Sequence, residues 1–137
     1  MAYWLLKTEP EAYCFADLTR DGLIAWTGVR NAQARNNLLL MGAGDEVLIY
    51  HSVTEKAVVG RALVVAPAGP DATAPASSGW VSVDVAAGPP LAHPVSLAAI
   101  KADDRLAGIG LVRQSRLSVV PLTADEYRAL LALGAAW

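Results

Sequence analysis

Short apolar runs rich in Val, Ile and Leu alternate along the chain with clusters of Gly, Pro and polar residues. This pattern predicts β-strands at residues 3–8, 46–53, 57–66, 81–85 and 116–120. The second and third of these strands are joined by a connection of hairpin length at 54–56. The segment 66–79, rich in Ala, Pro, Ser and Gly, is predicted to be a long loop between two strands of one sheet.

Helical spacing of apolar residues is found in the intervals between the predicted strands. The sequence predicts helices over 15–21, 30–41 and 97–101, and a last helix that begins after Thr123 and ends at Gly134. Thr123 and Glu126 are three residues apart, the spacing of a helix capping box. Because hairpins rather than regular helical crossovers join neighbouring strands, an α+β fold is favoured: a curved mixed sheet or open β-barrel of about five or six strands with flanking helices.

Size and composition indicate one folded domain over residues 1–137. The chain is 54% hydrophobic, yet no apolar run approaches the roughly 18 residues that a membrane-spanning helix needs. The N-terminus has no charged start followed by a long apolar stretch, so it does not resemble a signal peptide. A single cysteine fits a reducing compartment. We expect a cytoplasmic protein, without membrane contact, that is monomeric.

The distribution of charge is more informative than its sum. The formal net charge is −2, which argues against non-specific phosphate binding. However, no acidic residue occurs in 22–44 or in 105–124, and these two windows hold five of the eleven basic residues. The five are Arg30, Arg35, Arg105, Arg113 and Arg116. If the fold brings the windows together they form a local positive patch; otherwise the arginines simply decorate the surface.

Signatures of metal binding, phosphate-loop binding and nucleophilic catalysis are weak or missing in this sequence. Two histidines and one cysteine are too few for a structural zinc site, and no Walker or dinucleotide fingerprint is present. Cys14 and His51 are the only candidates for a thiol dyad, and no nucleophile signature surrounds either. We therefore expect neither a metal nor a cofactor, and a function other than catalysis.

Polar residues cluster where apolar strands end, and strand ends line the mouths of barrels, where ligands bind. The residues at these positions are Lys7, Thr8, His51, Ser52, Arg113, Gln114, Ser115 and Arg116. His51 could equally be a core histidine and Lys7 a surface charge. Trp26, in a predicted loop ahead of Asn31, could stack on a flat ligand or simply pack against the core.

Six ordered blocks of sequence resemble the EVE domain family of the PUA-like superfamily. The blocks are YWLLKTEP (3–10), WTGVRNAQARNNL (26–38), GDEVLIYHS (44–52), VVGRA (58–62), WVSVDV (80–85) and the segments IKAD and LVRQSRLSV within 100–119. The resemblance runs through nearly the whole chain. It implies a curved barrel-like sheet and a pocket related to that of YTH domains, which read a methylated adenine in RNA.

The resemblance also implies a ligand and a set of site residues. The resemblance implies a reader of modified bases, so the expected partner is DNA that carries a modified base, with cytosine favoured and with RNA as the alternative nucleic acid. The residues implied to contact the base are Lys7, Thr8, Trp26, Asn31, Tyr50, His51, Ser52, Gln114 and Ser115. Those implied to contact phosphates are Arg30, Arg35, Arg113 and Arg116. The loop 68–74 lacks the aromatic residue that YTH domains carry there, so Trp80 or Tyr50 would have to supply a second aromatic wall.

Two other functions are compatible with the sequence. One is an enzyme that acts on a nucleotide-like small molecule with His51 as acid or base. The other is a protein-interaction module, which would expose a large apolar patch and have no pocket with converging polar groups. The leading hypothesis is a non-catalytic module that holds a flipped modified base in an aromatic and polar pocket.

Overall fold

A computed structural model describes residues 1–135 of the protein. Its strands are β1 (Tyr3–Thr8), β2 (Leu23–Trp26), β3 (Glu46–His51), β4 (Ala57–Pro70), β5 (Val81–Ser96) and β6 (Val119–Leu122). Its helices are α1 (Phe15–Asp21), α2 (Ala32–Leu40), α3 (Leu97–Ala102), α4 (Gly110–Arg113) and α5 (Ala124–Leu133), with a 3-10 turn at Asp104–Leu106. This arrangement confirms the α+β fold with flanking helices that the sequence predicts.

The strands form one mixed sheet in the order β2-β5-β4-β3-β1-β6. Only β1 and β3 are parallel neighbours in the described residues; the other pairs are antiparallel. The sheet stays open, with β2 and β6 at its edges. Because β1 and β3 run in the same direction, with Thr8 opposite His51, their polar C-terminal ends reach the same edge of the sheet, as expected.

The core lies between the sheet and the helices. Fully buried residues of the central strands include Leu5, Leu6, Val47 and Leu48. The middle of β3 is buried on both faces, which explains its continuous apolar sequence, whereas β4 alternates between buried and exposed residues over 60–65. The helical spacing of the sequence is also borne out, because Ala34 and Leu38 of α2 are completely buried.

Side-chain caps set the starts of three helices. Asn31 accepts a hydrogen bond from the backbone N–H of Ala34, so α2 begins slightly later than the predicted segment 30–41. Ser96 caps α3 and Thr123 caps α5 in the same way. The capping box predicted between Thr123 and Glu126 is present, with both of its hydrogen bonds formed.

The structure differs from the sequence prediction at the outer half of the sheet. β2 was not predicted, and β4 and β5 are much longer than predicted, so the loop expected at 66–79 shrinks to 71–80. Register shifts between β4 and β5, including one between Ala66 and Gly69, let the two strands continue past Pro67. Proline is tolerated in a strand at such irregularities, but in a sequence it reads as a strand end.

Candidate functional site

The larger of two neighbouring cavities is a cleft of about 520 Å³ at the C-terminal ends of β1 and β2. This volume lies within the range of small-molecule pockets. Its lining residues are Lys7, Thr8, Glu9, Ala12, Tyr13, Ile24, Ala25, Trp26, Thr27, Gly28, Val29, Arg30 and Ser118. Four residues of the predicted site line it, and we name it the base cleft after the base contact that the resemblance implies for three of them, Lys7, Thr8 and Trp26.

Two aromatic side chains form part of the base cleft. Trp26 and Tyr13 meet edge to face, with ring centroids 6.4 Å apart. Trp26 exposes only 7% of its surface and Tyr13 is half-buried. Burial, together with a hydrogen bond from the Tyr13 hydroxyl to Asp21, raises the pKa of Tyr13 to about 12, so the phenol stays neutral.

The position of Trp26 corrects one expectation from the sequence. Trp26 is not in a loop: it is the last residue of β2 and pairs with Val83 of β5. The strand was missed because its four residues, LIAW, are too few to show a period. Tyr13, the second aromatic of the cleft, was missed as well, because it lies in an irregular segment ahead of α1.

Lys7 and Thr8 bring polar groups from the end of β1 to the cleft. The Thr8 hydroxyl donates a hydrogen bond to the backbone carbonyl of Tyr13 at 2.6 Å and so fixes the segment that carries the Tyr13 ring. The Lys7 ammonium donates to the carbonyl of Ser115 at 2.8 Å. Burial lowers the pKa of Lys7.

A buried aspartate of the β4–β5 loop holds the outer wall of the base cleft. The Asp71 side chain is 0% exposed and accepts hydrogen bonds from the backbone N–H of Gly28 and from Arg30 Nη1, each at 2.9 Å. It also accepts hydrogen bonds from the backbone N–H and the hydroxyl of Thr73. Burial alone would raise the pKa of Asp71, but these hydrogen bonds outweigh it and hold the pKa far below its usual range.

Asp71 was not identified from the sequence as a site residue. The order Pro70-Asp71-Ala72-Thr73 is typical of a turn in which the aspartate binds its own backbone two residues on, and that hydrogen bond is present. Its partners 41 and 43 residues away leave no local signal. Only the tertiary structure shows that this turn meets the cleft.

The second cavity, of about 320 Å³, lies beside the base cleft. It is lined by Asn31, Gln33, Arg113, Gln114, Ser115, Arg116 and Leu117. We call it the arginine cavity. Residues of the two linings are adjacent in the sequence, because Arg30 and Ser118 of the base cleft are next to Asn31 and Leu117 of the arginine cavity. The hydrogen bond from Lys7 to Ser115 joins the two linings in space. The fold therefore brings residues of the two acid-free windows together.

Arg35 and Trp80 lie next to this region but line neither cavity. The guanidinium carbons of Arg35 and Arg30 lie 5.4 Å and 5.8 Å from the centroid of the Trp80 ring. Both distances are within the range of a cation–π contact. Trp80 thus packs beside two arginines, of which Arg30 lines the base cleft.

Three of the residues that the resemblance implies as base contacts line neither cavity. Tyr50 is 3% exposed, and its ring faces the Lys7 ammonium at 5.9 Å. His51 Nε2 accepts the backbone N–H of Phe15 at 3.0 Å, and Nδ1 lies 2.6 Å from a Glu55 carboxylate oxygen. Neither residue, nor Ser52, lines either cavity. They lie at or just after the end of β3, as the sequence predicts, and are paired with Lys7 and Thr8 of β1, which do line the cleft.

Within residues 1–135, no group of three or more His, Cys, Asp or Glu side chains is placed to hold a metal ion. In the same range, no helix is both long and apolar enough to cross a membrane. The side chains that line the two cavities carry hydroxyl, amide, ammonium and guanidinium groups. Glu9 is the one acidic residue of the described lining.

Known proteins resemble this chain over nearly its full length. Thymocyte nuclear protein 1 from Homo sapiens is 31% identical, with 96% of this chain and 73% of that protein covered. The X-ray structure of a protein from Agrobacterium tumefaciens is 40% identical, with a TM-score of 0.94 and with 99% of this chain and 94% of that one covered. The crystal structure of human THYN1 protein in complex with DNA containing 5-methylcytosine is 29% identical, with a TM-score of 0.91 and coverage of 100% and 99%. The EVE domain model matches residues 2–133, and the chain belongs to the EVE domain family.

Proposed function

We propose that this protein is a non-catalytic module that binds DNA containing modified cytosine and takes one flipped base into the base cleft. The observation that carries the proposal is the direct contact between an aromatic cleft and a cavity lined by arginines. Human THYN1 protein, which shares the fold, was crystallised with DNA containing 5-methylcytosine, and this supports the choice of ligand.

The composition of the base cleft suits a flat base that carries a methyl group. Trp26 and Tyr13 offer aromatic surface to the base, and Ile24 and Val29 offer apolar contacts to its methyl group. The hydroxyl groups of Thr27 and Ser118 provide donors and acceptors for the base edge. Thr8 acts through Tyr13, whose backbone carbonyl it binds.

The arginine cavity would hold the phosphates on one side of the flipped base. Arg113 and Arg116 are exposed and supply the charge, and Asn31, Gln114 and Ser115 supply neutral hydrogen-bonding groups. Arg35 lies outside the cavity lining, where it would contact the next phosphate. We assign Tyr50, His51 and Ser52 to supporting positions, since they are paired with the end of the strand that carries Lys7 and line neither cavity.

Binding of labelled oligonucleotides, measured by fluorescence anisotropy, tests the proposal. Each oligonucleotide carries one central cytosine, 5-methylcytosine or 5-hydroxymethylcytosine, as single and double strands and as RNA of the same sequence. We expect tighter binding of a modified cytosine in DNA than of plain cytosine. Equal and weak binding to all of them, abolished by salt, would leave only non-specific phosphate contact.

A tryptophan pair separates base contact from general loss of stability. Trp26→Phe should lower affinity for modified DNA, because stacking on an aromatic residue contributes about 1–3 kcal/mol per base and the smaller ring retains only part of it. Trp4→Phe is the matched control: Trp4 is also buried, at 4% exposure, but lines neither cavity. Equal effects of the two substitutions would contradict the assignment of Trp26.

The geometry gives no support to His51 as a catalytic acid or base. Both of its ring nitrogens are engaged, one by Phe15 and the other by Glu55, and its side chain is 10% exposed. Its role is to fix the start of α1. A test for turnover of modified nucleosides by the wild-type protein addresses the enzymatic alternative directly.

A further inference from the structure

The loop between β4 and β5 contributes no residue to the lining of either cavity, yet it is bonded to the wall of the base cleft. Asp71, at its start, accepts hydrogen bonds from Gly28 and Arg30, which do line the cleft. Trp80, at its end, lies beside Arg30. The two ends of the loop thus meet the same short segment of wall, residues 28–30.

The wall segment depends on this contact for its conformation. Gly28 has a φ of +84°, a backbone conformation that glycine adopts readily, and its N–H points at the Asp71 carboxylate. In the glycine-containing segment between β2 and α2, that hydrogen bond fixes the direction of a peptide group that lines the cleft. Without it, the segment would have more conformations to lose when a base binds.

Arg30 is held from several sides before any ligand arrives. Its Nη1 donates to the carbonyl of Val29 and to Asp71, and its Nη2 donates to the hydroxyl of Thr73. The Arg30 side chain is 39% exposed, and its charge is balanced by the buried carboxylate of Asp71. Arg30 therefore stabilises the conformation of the wall. Arg113 differs, because its only hydrogen-bond partner within residues 1–135 is the carbonyl of Ala107.

We propose that Asp71 is a positioning residue for base recognition: by fixing Gly28 and Arg30 it sets how strongly the cleft prefers a modified over a plain cytosine. This inference rests on the proposed function. It assigns the β4–β5 loop to the recognition apparatus although the loop lines neither cavity. Pre-organisation of a binding wall by such an outer contact increases affinity without adding a contact to the ligand.

Asp71→Asn tests the inference, because it keeps the shape of the side chain and removes its charge. We expect the preference for 5-methylcytosine over cytosine to fall by about tenfold, since the amide nitrogen of asparagine cannot accept the two hydrogen bonds that the carboxylate oxygen it replaces accepted. Binding of plain DNA should become more salt-dependent, with a slope steeper by about 0.9, because the Arg30 charge is no longer balanced. A merely structural role would weaken both ligands equally and leave the slope unchanged.

Asp45→Asn is the matched control. Asp45 is a second buried aspartate, at 6% exposure, and it accepts hydrogen bonds from the backbone of Ala2 and Gly42 and from the Trp4 indole, away from both cavities. Asp45→Asn should lower the stability of the protein without changing the preference for 5-methylcytosine or the salt dependence of DNA binding. An unchanged preference in Asp71→Asn, beside a clear preference in the wild type, would overturn the inference.

A measurement without DNA distinguishes failure of the inference from failure of the proposed function. In ¹H–¹⁵N spectra of the free protein, Asp71→Asn should shift the backbone amide signals of Gly28 and Arg30, and Asp45→Asn should not. If the signals of residues 28–30 stay in place, Asp71 does not position the wall. If they move but the wild type prefers no modified base, the wall is positioned as inferred and the proposed function is wrong.

Discussion

The ammonium group of Lys7 donates a hydrogen bond to the backbone carbonyl of Ser115, 2.8 Å away, and so joins the base cleft to the arginine cavity. The two residues are 108 positions apart in the sequence. Lys7 lines the base cleft, and Ser115 belongs to the segment that lines the arginine cavity. One half-buried side chain thus links the two cavities in which we propose that a base and its neighbouring phosphate are held.

Lys7→Met should weaken binding to plain and modified DNA together. The substitution keeps the apolar stem, removes a positive charge near the proposed phosphate site and frees the segment around Ser115. Anisotropy titrations at several salt concentrations should show lower affinity and a shallower salt dependence. Lys101→Met, an exposed position on α3, is the control; a similar loss there would show that net charge alone is responsible.

Arg113 and Arg116 should account for much of the salt dependence of binding. Each phosphate contact to double-stranded DNA contributes about 0.9 to the slope of log affinity against log salt concentration. Arg113→Gln and Arg116→Gln should each reduce that slope by about this amount and leave the preference for modified cytosine unchanged. Such an outcome would separate backbone contacts from base contacts.

Arg128→Gln is the matched control for these arginines. Arg128 is exposed on α5, lies 3.6 Å from Asp125 and lines neither cavity. Its removal changes the net charge by the same unit but removes no proposed phosphate contact. If Arg128→Gln reduced the salt slope as much as Arg113→Gln, the arginine cavity would not be the phosphate site.

The fold could be predicted where a single element carries its own signal. The strands 46–53 and 57–66 show continuous or alternating apolar residues, and Thr123 begins a capping box, so both features survive in the structure. β2 could not be predicted, because it has four residues and pairs only with the distant β5. The outer parts of β4 and β5 pair with each other, but prolines and register shifts interrupt their pattern. Pro67 and Pro70, which lie within β4, are typical of a loop, and the sequence therefore predicts a loop from residue 66 onward.

Some residues of the candidate site could likewise be identified from the sequence, and others could not. Lys7, Thr8 and Trp26 belong to sequence blocks shared with the EVE family and do line the base cleft. Tyr13 and Asp71 carry no pattern that distinguishes them from surface residues, since their roles arise from the approach of separate segments. His51 illustrates the opposite case: its position at a strand end is as expected, yet both ring nitrogens serve internal contacts.

Gly60→Ala should destabilise the protein by displacing α1, which packs on β4 through Phe15. A Cβ at this position of β4 would clash with ring carbons of Phe15, which is buried at the start of α1. Overpacking of this kind typically costs about 1–3 kcal/mol in the free energy of unfolding. Chemical denaturation measures the loss. Gly69→Ala, in the same strand with open space around its Cβ, should change stability far less.

The stability of the protein should fall in acid partly through Asp71. Its hydrogen bonds hold its folded-state pKa far below the value of about 3.9 expected for an unfolded aspartate. A carboxylate with a lowered folded-state pKa contributes its full stabilisation above the unfolded value, and that contribution is lost as the pH falls towards the folded-state pKa.

The comparison of wild type with Asp71→Asn isolates this contribution from those of other aspartates whose pKa values are also lowered, such as Asp45. Denaturant titrations from pH 7 to about pH 2 should show a constant stability difference between the two proteins above about pH 5. The difference should shrink steadily below about pH 4, because Asp71 of the unfolded wild type then takes up a proton while Asp71 of the folded protein stays ionised; the variant has no such group in either state. A difference that stays constant down to the lowest pH would show that Asp71 is not held ionised by Gly28, Arg30 and Thr73 in the folded protein.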